Sequence, residues 1–542
     1  MPCLADRRNA EQPSPGSKPM NSKRQDVIIA GGGLAGLGLA RQLITQRPDL
    51  DIVVLERNRF PVDETVAKVG ESTVEVASRY FCHTLELGEH FHDSHLQKFG
   101  LRCFFGAPQD DFSQHDELGV SQRFPLPTFQ LERGAMENHL YRELLERGVR
   151  IDHGVQIQSI DMSPRNHRLS FVDGEQEREY SGRWLVDCTG RYGLVKRQLG
   201  LARPSPHRGN AIWFRVDKTI KIDEWSGDAA WRERMVLDGK RWLSTNHLMG
   251  PGYWVWIIPL GSGATSIGIV MDDQAFETAA ISDYPGALAW LSRNHPQCAA
   301  ALEGSRLLDF VALRDYSYDC KQMFSDEGWG LTGESGVFSD PFYSPGSDFI
   351  ALANEILSHL IIADSRGTDI AFETRALEFF YTSFFSNTLS LYTDQYGGFG
   401  DRTMMSVKLV WDYSFYWGVL ALLYYKGAVA DIQLLRRINS QLLEAISLNA
   451  QMQGLLRERA SQRLVQPAAG VFVDQYQIPV LHQLIGQLHD ESLSLEQALP
   501  VSVALLRELV PAMADLLGET PQRQVSDSER QHLGDFRQAV LA

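Results

Sequence analysis

The sequence has no surplus of positive charge: 52 Lys and Arg stand against 68 Asp and Glu, for a net charge of −16. Phosphate-rich partners need a basic surface, so nucleic acid and anionic membrane surfaces are excluded as principal partners. Cysteine is scarce. Cys3, Cys82, Cys103, Cys188, Cys298 and Cys320 are scattered, with no C-x-x-C pair. That spacing suits reduced thiols in a cytoplasm better than a disulfide framework or a zinc site, and no metal is expected. Residues 1–25 carry Pro13, Pro15 and Pro19 but lack the apolar centre of a signal peptide, and they read as a disordered tail. The longest apolar runs, near 416–425, fall short of the ~20 residues that span a bilayer, so no stable membrane insertion is expected. There is no internal repeat. What remains is a globular composition, 44% hydrophobic and 22% charged, long enough at 542 residues for two or three structural units.

The chain is organised around residues 26–58. Asp26 to Ala30 is a short apolar run, read as a buried strand, that enters Gly31-Gly32-Gly33-Leu34-Ala35-Gly36. Gly31, Gly33 and Gly36 satisfy G-x-G-x-x-G. Leu34, Leu37, Leu39, Ala40 and Leu43 then give a helix with an apolar face, which 47–50 breaks. A second apolar strand, 51–55, closes on Glu56. In this pattern Gly31 makes the tight turn, Gly33 lets a pyrophosphate approach the backbone, and Gly36 lets helix and strand pack closely. The helix N-terminus offers free N–H groups and partial positive charge to the pyrophosphate, and Glu56 is placed to accept from a ribose. Strand, glycines, helix, second strand and acid in register point to a dinucleotide.

Further along, Val69-Gly70-Glu71-Ser72-Thr73 leads into a helix through Val76, Ala77 and Phe81, with Ser72 or Thr73 as the candidate N-cap. Residues 98–106 read as a strand with Lys98 at its start, where a lysine is ordinarily a solvated charge. A helix is expected over 131–148, with Arg133 near its start, Met136, Leu140 and Leu144 on one stripe, and Gly148 as its stop. The apolar strand at 184–188 ends in a glycine turn, 188–193. Residues 210–272 carry the period-two pattern of an antiparallel sheet. Within it, Trp254 and Trp256 project to one face of a strand as an aromatic wall. A third glycine turn, including Gly333 and Glu334, runs through Asp340-Pro341-Phe342-Tyr343-Ser344-Pro345-Gly346 into a helix whose start is a second natural anion site. From 374 onward the chain reads as helical, aromatic at first, with some rings lining a pocket.

Three glycine turns in this order are what a two-part flavin fold of the aromatic-hydroxylase type uses. Trp254-x-Trp256-x-Ile258-Pro259 matches the W-x-W-x-I-P signature of the flavin-dependent halogenases in full. The chain resembles that family over roughly 26–430, nearer its branch acting on phenols, pyrroles and carrier-bound aromatics than its free-tryptophan branch. Gly70 to Thr73 resembles the family's flavin-side strap, and Lys98-x-Gly100 with Phe105 and Gly106 its segment bearing a catalytic lysine. The 340–346 segment resembles the one that holds the halide over the flavin.

The resemblance implies the following expectations. The fold is α/β: a Rossmann-like FAD-binding domain over 26–370, an antiparallel substrate-side sheet inserted at about 205–320, and a helical region over 371–542. FAD, reduced by a separate flavin reductase, is held through Gly31, Gly33, Gly36, Glu56, Arg133, Gly333, Glu334 and Gly346, with Glu334 accepting from the ribityl hydroxyls. With oxygen it oxidises a halide ion, and Lys98 orients the resulting hypohalous acid at the aromatic carbon, either as a hydrogen-bonding ammonium or as a haloamine-forming amine. Ser344 and Tyr343 complete the catalytic set. Trp254 and Trp256 separate substrate from flavin. The substrate is a phenol- or pyrrole-like ring, free or held on a carrier protein, and the setting is secondary-metabolite biosynthesis.

Two residues depart from the pattern. Tyr343 stands where tryptophan-type enzymes have a glutamate that assists the lysine, which argues against free tryptophan. Pro345 stands where the family commonly has Ser or Thr, whose backbone N–H helps hold the halide; proline has no N–H. Loss of a charge-assisted bond of roughly 1.5–3 kcal/mol weakens halide capture. Two other readings follow: a flavin monooxygenase or oxidase of an aromatic substrate, favoured by Pro345, or a flavin-binding protein that holds a partner through the aromatic helices at 379–425.

Overall fold

A computed structural model describes residues 24–64, 68, 70–234, 240–272 and 281–518. The expected tail lies outside the described residues up to 23, as does Val69, just ahead of the strap. Gln25 already opens β1 (Gln25–Ala30). The four apolar residues Val27 to Ala30 are wholly buried, as a parallel strand covered on both faces requires. β1 pairs in parallel with β2 (Ile52–Glu56) on one side and with the end of the strand Gln176–Asp187 on the other. The sheet continues in parallel to Arg150–His153 beyond β2 and to Trp329–Leu331 beyond Gln176–Asp187. An antiparallel excursion, Gln156–Asp161 and His167–Asp173, hangs from the long strand.

Helix α1 (Leu34–Gln46) follows β1, with Leu34, Leu37, Leu39, Ala40 and Leu43 buried against the sheet. The helix expected over 131–148 spans Arg133–Glu146, and Gly148 takes the left-handed conformation (φ +81°) that ends it.

The second sheet has eight strands in the order Leu307–Leu313, Asn210–Val216, Thr265–Met271, Tyr253–Pro259, Thr245–Gly250, Leu101–Phe105, Asp116–Gly119 and Phe472–Asp474. It therefore draws strands from beyond the 205–320 stretch, at 101–119 and from the C-terminal region. Two pairings are parallel, Leu101–Phe105 with Thr245–Gly250 and Asp116–Gly119 with Phe472–Asp474; the rest are antiparallel. The period of two is visible in its packing. Trp254, Trp256 and Ile258 enter one apolar cluster with Phe342, Tyr392, Tyr396 and Phe399, while Val255 and Ile257 enter another on the opposite face.

The helix Gly346–Ser365 packs on the first sheet, and the later helices Ala371–Leu389, Arg402–Phe415, Asn439–Ser461, Pro479–His489 and Leu495–Leu517 continue the same apolar core. Gly346–Ser365 is 20 residues long and apolar enough to cross a bilayer by length and composition, a candidate the 416–425 reading overlooked. Its most apolar window is 67% buried within the protein, as a core helix should be.

Two local expectations need correction. Neither Ser72 nor Thr73 caps the helix, which is Glu75–Arg79 with Val74 at the N-cap position. The Thr73 hydroxyl is engaged by Phe129 N–H (2.8 Å) and Ser78 Oγ (2.9 Å), so the strap is fastened to a neighbouring strand. The strand expected from Lys98 runs only Leu101–Phe105, and Lys98 lies ahead of it, where its N–H donates to Thr128 O (2.7 Å).

Candidate active site

The three glycine turns meet at the C-terminal edge of the first sheet. Gly31, Gly33, Glu56, Arg133, Gly190, Gly333 and Glu334 line one cleft with about 810 Å³ of water-accessible space. Gly31 sits at φ +116°, and a Cβ on Gly36 would run into the Gly31 carbonyl oxygen, so these two shape the turn. Gly36 does not line the cleft. Gly33 is different: a Cβ there would meet only Glu137 Oε1, at 4.0 Å. Its surface is open toward the cleft, beside the unpaired first-turn N–H groups of α1. Glu56 accepts from Gly32 N–H (2.7 Å) through Oε2 and from Asn58 N–H (2.8 Å) and Nδ2 (2.7 Å) through Oε1. Those bonds fix the carboxylate and leave it acceptor capacity for a ribose. Arg133 donates to Glu137 Oε1 (3.2 Å), and Glu334 faces Arg191 at 3.7 Å.

An inner pocket opens beyond the cleft, lined by Gly70, Glu71, Ser72, Arg133, Trp254, Trp256, Gly333, Glu334, Ser344, Pro345 and Gly346. Its floor is the 340–346 loop. Tyr343 (φ +71°) and Ser344 (φ +60°) are consecutive left-handed residues with side chains, each costing on the order of 1–3 kcal/mol. The surroundings hold them there. Asp340 Oδ2 receives His207 Nε2 (2.6 Å), Tyr316 OH (2.5 Å) and Tyr396 OH (2.5 Å), while Oδ1 receives Phe342 N–H (2.8 Å). Tyr396 OH in turn accepts from Trp254 Nε1 (2.9 Å), which connects the tryptophan wall to the loop. Ser344 N–H is used by Pro341 O (3.0 Å). Helix 346–365 begins immediately after Pro345, with its first bond running from Phe349 N–H to Pro345 O (3.1 Å). The N–H groups of its first turn have no intrahelical partner, and a Cβ on Gly346 would meet nothing within 4 Å.

On the far side of Pro345 and Phe349, which line both spaces, is an aromatic cavity. Lys98, Glu75, Tyr343, Asp348, Phe384, Tyr413, Phe415, Tyr416 and Trp417 are among its walls. Lys98 is 5% exposed. Its Nζ donates to Ser72 Oγ (3.0 Å) and Thr73 O (3.3 Å), and burial pulls the ammonium down to about 8 against the pull of Glu75 and Asp348. Asp348, raised by burial to about 7, accepts from Ala77 N–H (2.9 Å) and Tyr416 OH (2.7 Å). Tyr343 donates to Asp412 Oδ2 (2.8 Å), a carboxylate that also pairs with Lys408 (2.8 Å). The site thus carries a buried amine between an anion-compatible loop and an aromatic chamber.

An FAD binding domain family matches residues 24–266. A flavin-dependent halogenase of Dictyostelium discoideum is 26% identical over 434 residues, covering 73% of this chain and 70% of its own length. A 1H-pyrrole-2-carbonyl peptidyl-carrier-protein chlorinase of Pseudomonas fluorescens is 26% identical over 378 residues, covering 65% and 79%. The chain is similar to flavin-dependent halogenases. A solved point mutant of halogenase PltM in complex with FAD shares the fold at a TM-score of 0.65 and 15% identity, over 91% of this chain and 96% of that one. FAD is the cofactor, and the open surface at Gly33, the α1 N-terminus and the Glu56 carboxylate fit its pyrophosphate and ribose.

The residues singled out from the sequence fall into three neighbouring spaces. Gly31, Gly33 and Glu56 are in the cleft, Ser344 and Gly346 in the inner pocket, Lys98 and Tyr343 in the aromatic cavity; Arg133, Gly333 and Glu334 face both cleft and inner pocket. Sequence reading missed Glu75 and Asp348, the carboxylates that share the cavity with Lys98. Asp348 lies two residues past the end of the 340–346 motif, in the first turn of the helix that follows.

Proposed function

We propose that the protein halogenates an aromatic acceptor, phenol- or pyrrole-like and not free tryptophan. The observation that carries this is the position of Lys98, buried in the aromatic cavity yet hydrogen-bonded to Ser72 of the inner pocket. When bound, reduced FAD supplies with oxygen the two-electron oxidising power that converts halide to hypohalous acid. The chain's own residues would do the rest. Ser347 N–H and Gly346 N–H, at the start of the 346–365 helix, offer donors to the halide. The Trp254 and Trp256 rings, 5.6 Å apart, wall the inner pocket so that substrate stays in the aromatic cavity. The Lys98 ammonium hydrogen-bonds the hypohalous acid and polarises it, so the ring carbon takes halogen while oxygen leaves as water. Tyr343 holds the strained loop through Asp412, and Glu75 and Asp348 stand where a carboxylate assists the lysine. A flavin reductase is the expected electron-donating partner. The related carrier-protein chlorinase makes a carrier-bound acceptor the main alternative to a free one.

Pro345 favours a second reading, direct oxygenation of the aromatic ring, because it removes one N–H from the halide loop. Incubation with a flavin reductase, NADH, bromide and a panel of phenols, read by mass spectrometry, separates the two. Bromide-dependent brominated product is expected. Halide-independent oxygenated product that survives Lys98→Ala would defeat the halogenase reading.

A further inference from the structure

One wall of the aromatic cavity carries polar groups that the proposed reaction does not use. Arg123 lines the cavity, and among the described residues its guanidinium makes no hydrogen bond and no ion pair. Its Nε is buried without a partner, and the group lies 5.3 Å from the Phe99 ring centroid. Burial lowers its pKa, with no carboxylate opposing. Gln475 lines the same cavity, is 0% exposed, and has both Nε2 and Oε1 buried without partners.

These residues come from distant parts of the chain and line the same cavity. Gln475 follows the strand Phe472–Asp474, which lies parallel to Asp116–Gly119. Asp474 accepts from Ser121 N–H (2.9 Å), Ser121 Oγ (2.5 Å) and Tyr476 N–H (3.0 Å). One carboxylate therefore fastens the Arg123 loop to the Gln475 turn. A partly buried cation and a buried primary amide are each costly when unpaired. A guanidinium offers a planar fork matched to a carboxylate, and the amide N–H₂ supplies a further donor to the same group. The carboxylates on the cavity wall do not serve this purpose: Asp412 is paired with Lys408 and Tyr343, and Asp348 with Ala77 and Tyr416. Electrostatically, Glu75 faces Lys98.

We infer that Arg123 and Gln475 form a subsite for a carboxylate carried by the substrate, which makes the acceptor a free aromatic acid with its ring presented to Lys98. This rests on reading the cavity as the acceptor pocket. A neutral phenol or a carrier-bound thioester has no carboxylate to give and would leave both side chains unsatisfied.

The test titrates the FAD-loaded full chain by calorimetry with matched pairs: 3-hydroxybenzoate, 4-hydroxyphenylacetate and a hydroxynaphthoate, each against its methyl ester. In at least one pair the acid should bind on the order of ten-fold tighter or more. Arg123→Met should abolish that preference, Arg123→Lys should keep part of it, and Gln475→Leu should weaken the acid by a smaller factor. Equal binding of acid and ester in every pair, or a preference that survives Arg123→Met, overturns the subsite. Circular dichroism melting accompanies each variant, and Arg123→Lys carries the comparison if the Met variant unfolds: a preference unchanged in it overturns the subsite. Product masses from the same pairs keep the two readings apart. Arg123-dependent acid binding with oxygenated product leaves the subsite standing and removes halogenation; bromination of ester and acid alike, with equal binding, does the reverse.

Discussion

Lys98 and Ser72 are hydrogen-bonded, the lysine Nζ donating to the serine Oγ at 3.0 Å, and Ser72 Oγ also lies 3.1 Å from Thr245 Oγ1. The pair joins the strap of the inner pocket to the amine of the aromatic cavity. A lysine read from sequence as a strand-end charge is thereby held in the interior, where its protonation depends on the fold.

That burial makes a pH-dependent stability prediction. The ammonium falls from 10.5 in the unfolded chain to about 8 in the fold. Between these values the unfolded chain keeps a proton that the folded one has released, so stability rises with pH across the window. Below pH 8 both states are charged and the cost of burying the ammonium is fully present. Lys98→Met should therefore be more stable than the parent at pH 7, by about 1–3 kcal/mol after the lost hydrogen bonds are counted. The gap should close toward pH 10.5. Urea unfolding at both pH values checks it, and a constant gap would refute it. The same variant should lose halogenated product while keeping FAD affinity, because the lysine does not line the cleft.

Gly33 and Gly36 should fail in different ways. Gly36→Ala forces a Cβ into the Gly31 carbonyl and should destabilise the fold by several kcal/mol. Gly33→Val has room in the protein alone and should melt within a few degrees of the parent, yet lose FAD. Thermal melting and flavin titration read the two effects separately; FAD binding at parental affinity by Gly33→Val would show that the pyrophosphate does not sit there.

Pro345→Ser restores a backbone donor beside Gly346. Its φ of −77° and ψ of −11° are open to serine without strain. The bromide concentration for half-maximal rate should fall by about ten-fold, the worth of one charge-assisted hydrogen bond. No change in halide response would mean that the loop does not hold the halide through this position.

Asp340→Asn should weaken the loop from beneath. Three donors converge on one Asp340 oxygen, and an amide cannot accept from all of them. A loss of about 2–5 kcal/mol is expected from such a buried charged centre. Tyr396→Phe removes one of those donors and leaves the Trp254 indole N–H unpaired, and should cost about 1–2 kcal/mol. Denaturant unfolding that ranks these two in the opposite order would rule out Asp340 as the anchor of the loop.

Much of the cofactor cleft was legible in the sequence because its determinants are local. The G-x-G-x-x-G turn, the apolar stripe of α1 and the acid ending β2 lie within some thirty residues, and each follows from backbone geometry at short range. The alternation that puts Trp254 and Trp256 on one face is equally local. Lys98 and the 340–346 loop were recognised by motif, but their surroundings were not.

What only the tertiary structure decided is which polar groups share a dry space. The convergence of His207, Tyr316 and Tyr396 on Asp340 spans about 190 residues of chain, and Gln475 enters the cavity that Arg123 lines through a strand added to the sheet from the C-terminal region. No periodicity encodes such meetings, since a side chain's partner across the fold leaves no trace in its own neighbours along the chain. The cost of burying charge acts only once the chain has closed around it. The sequence by itself therefore determined the flavin fold and its turns, and the assembled core determined the protonation of Lys98 and the polar lining of the chamber it faces.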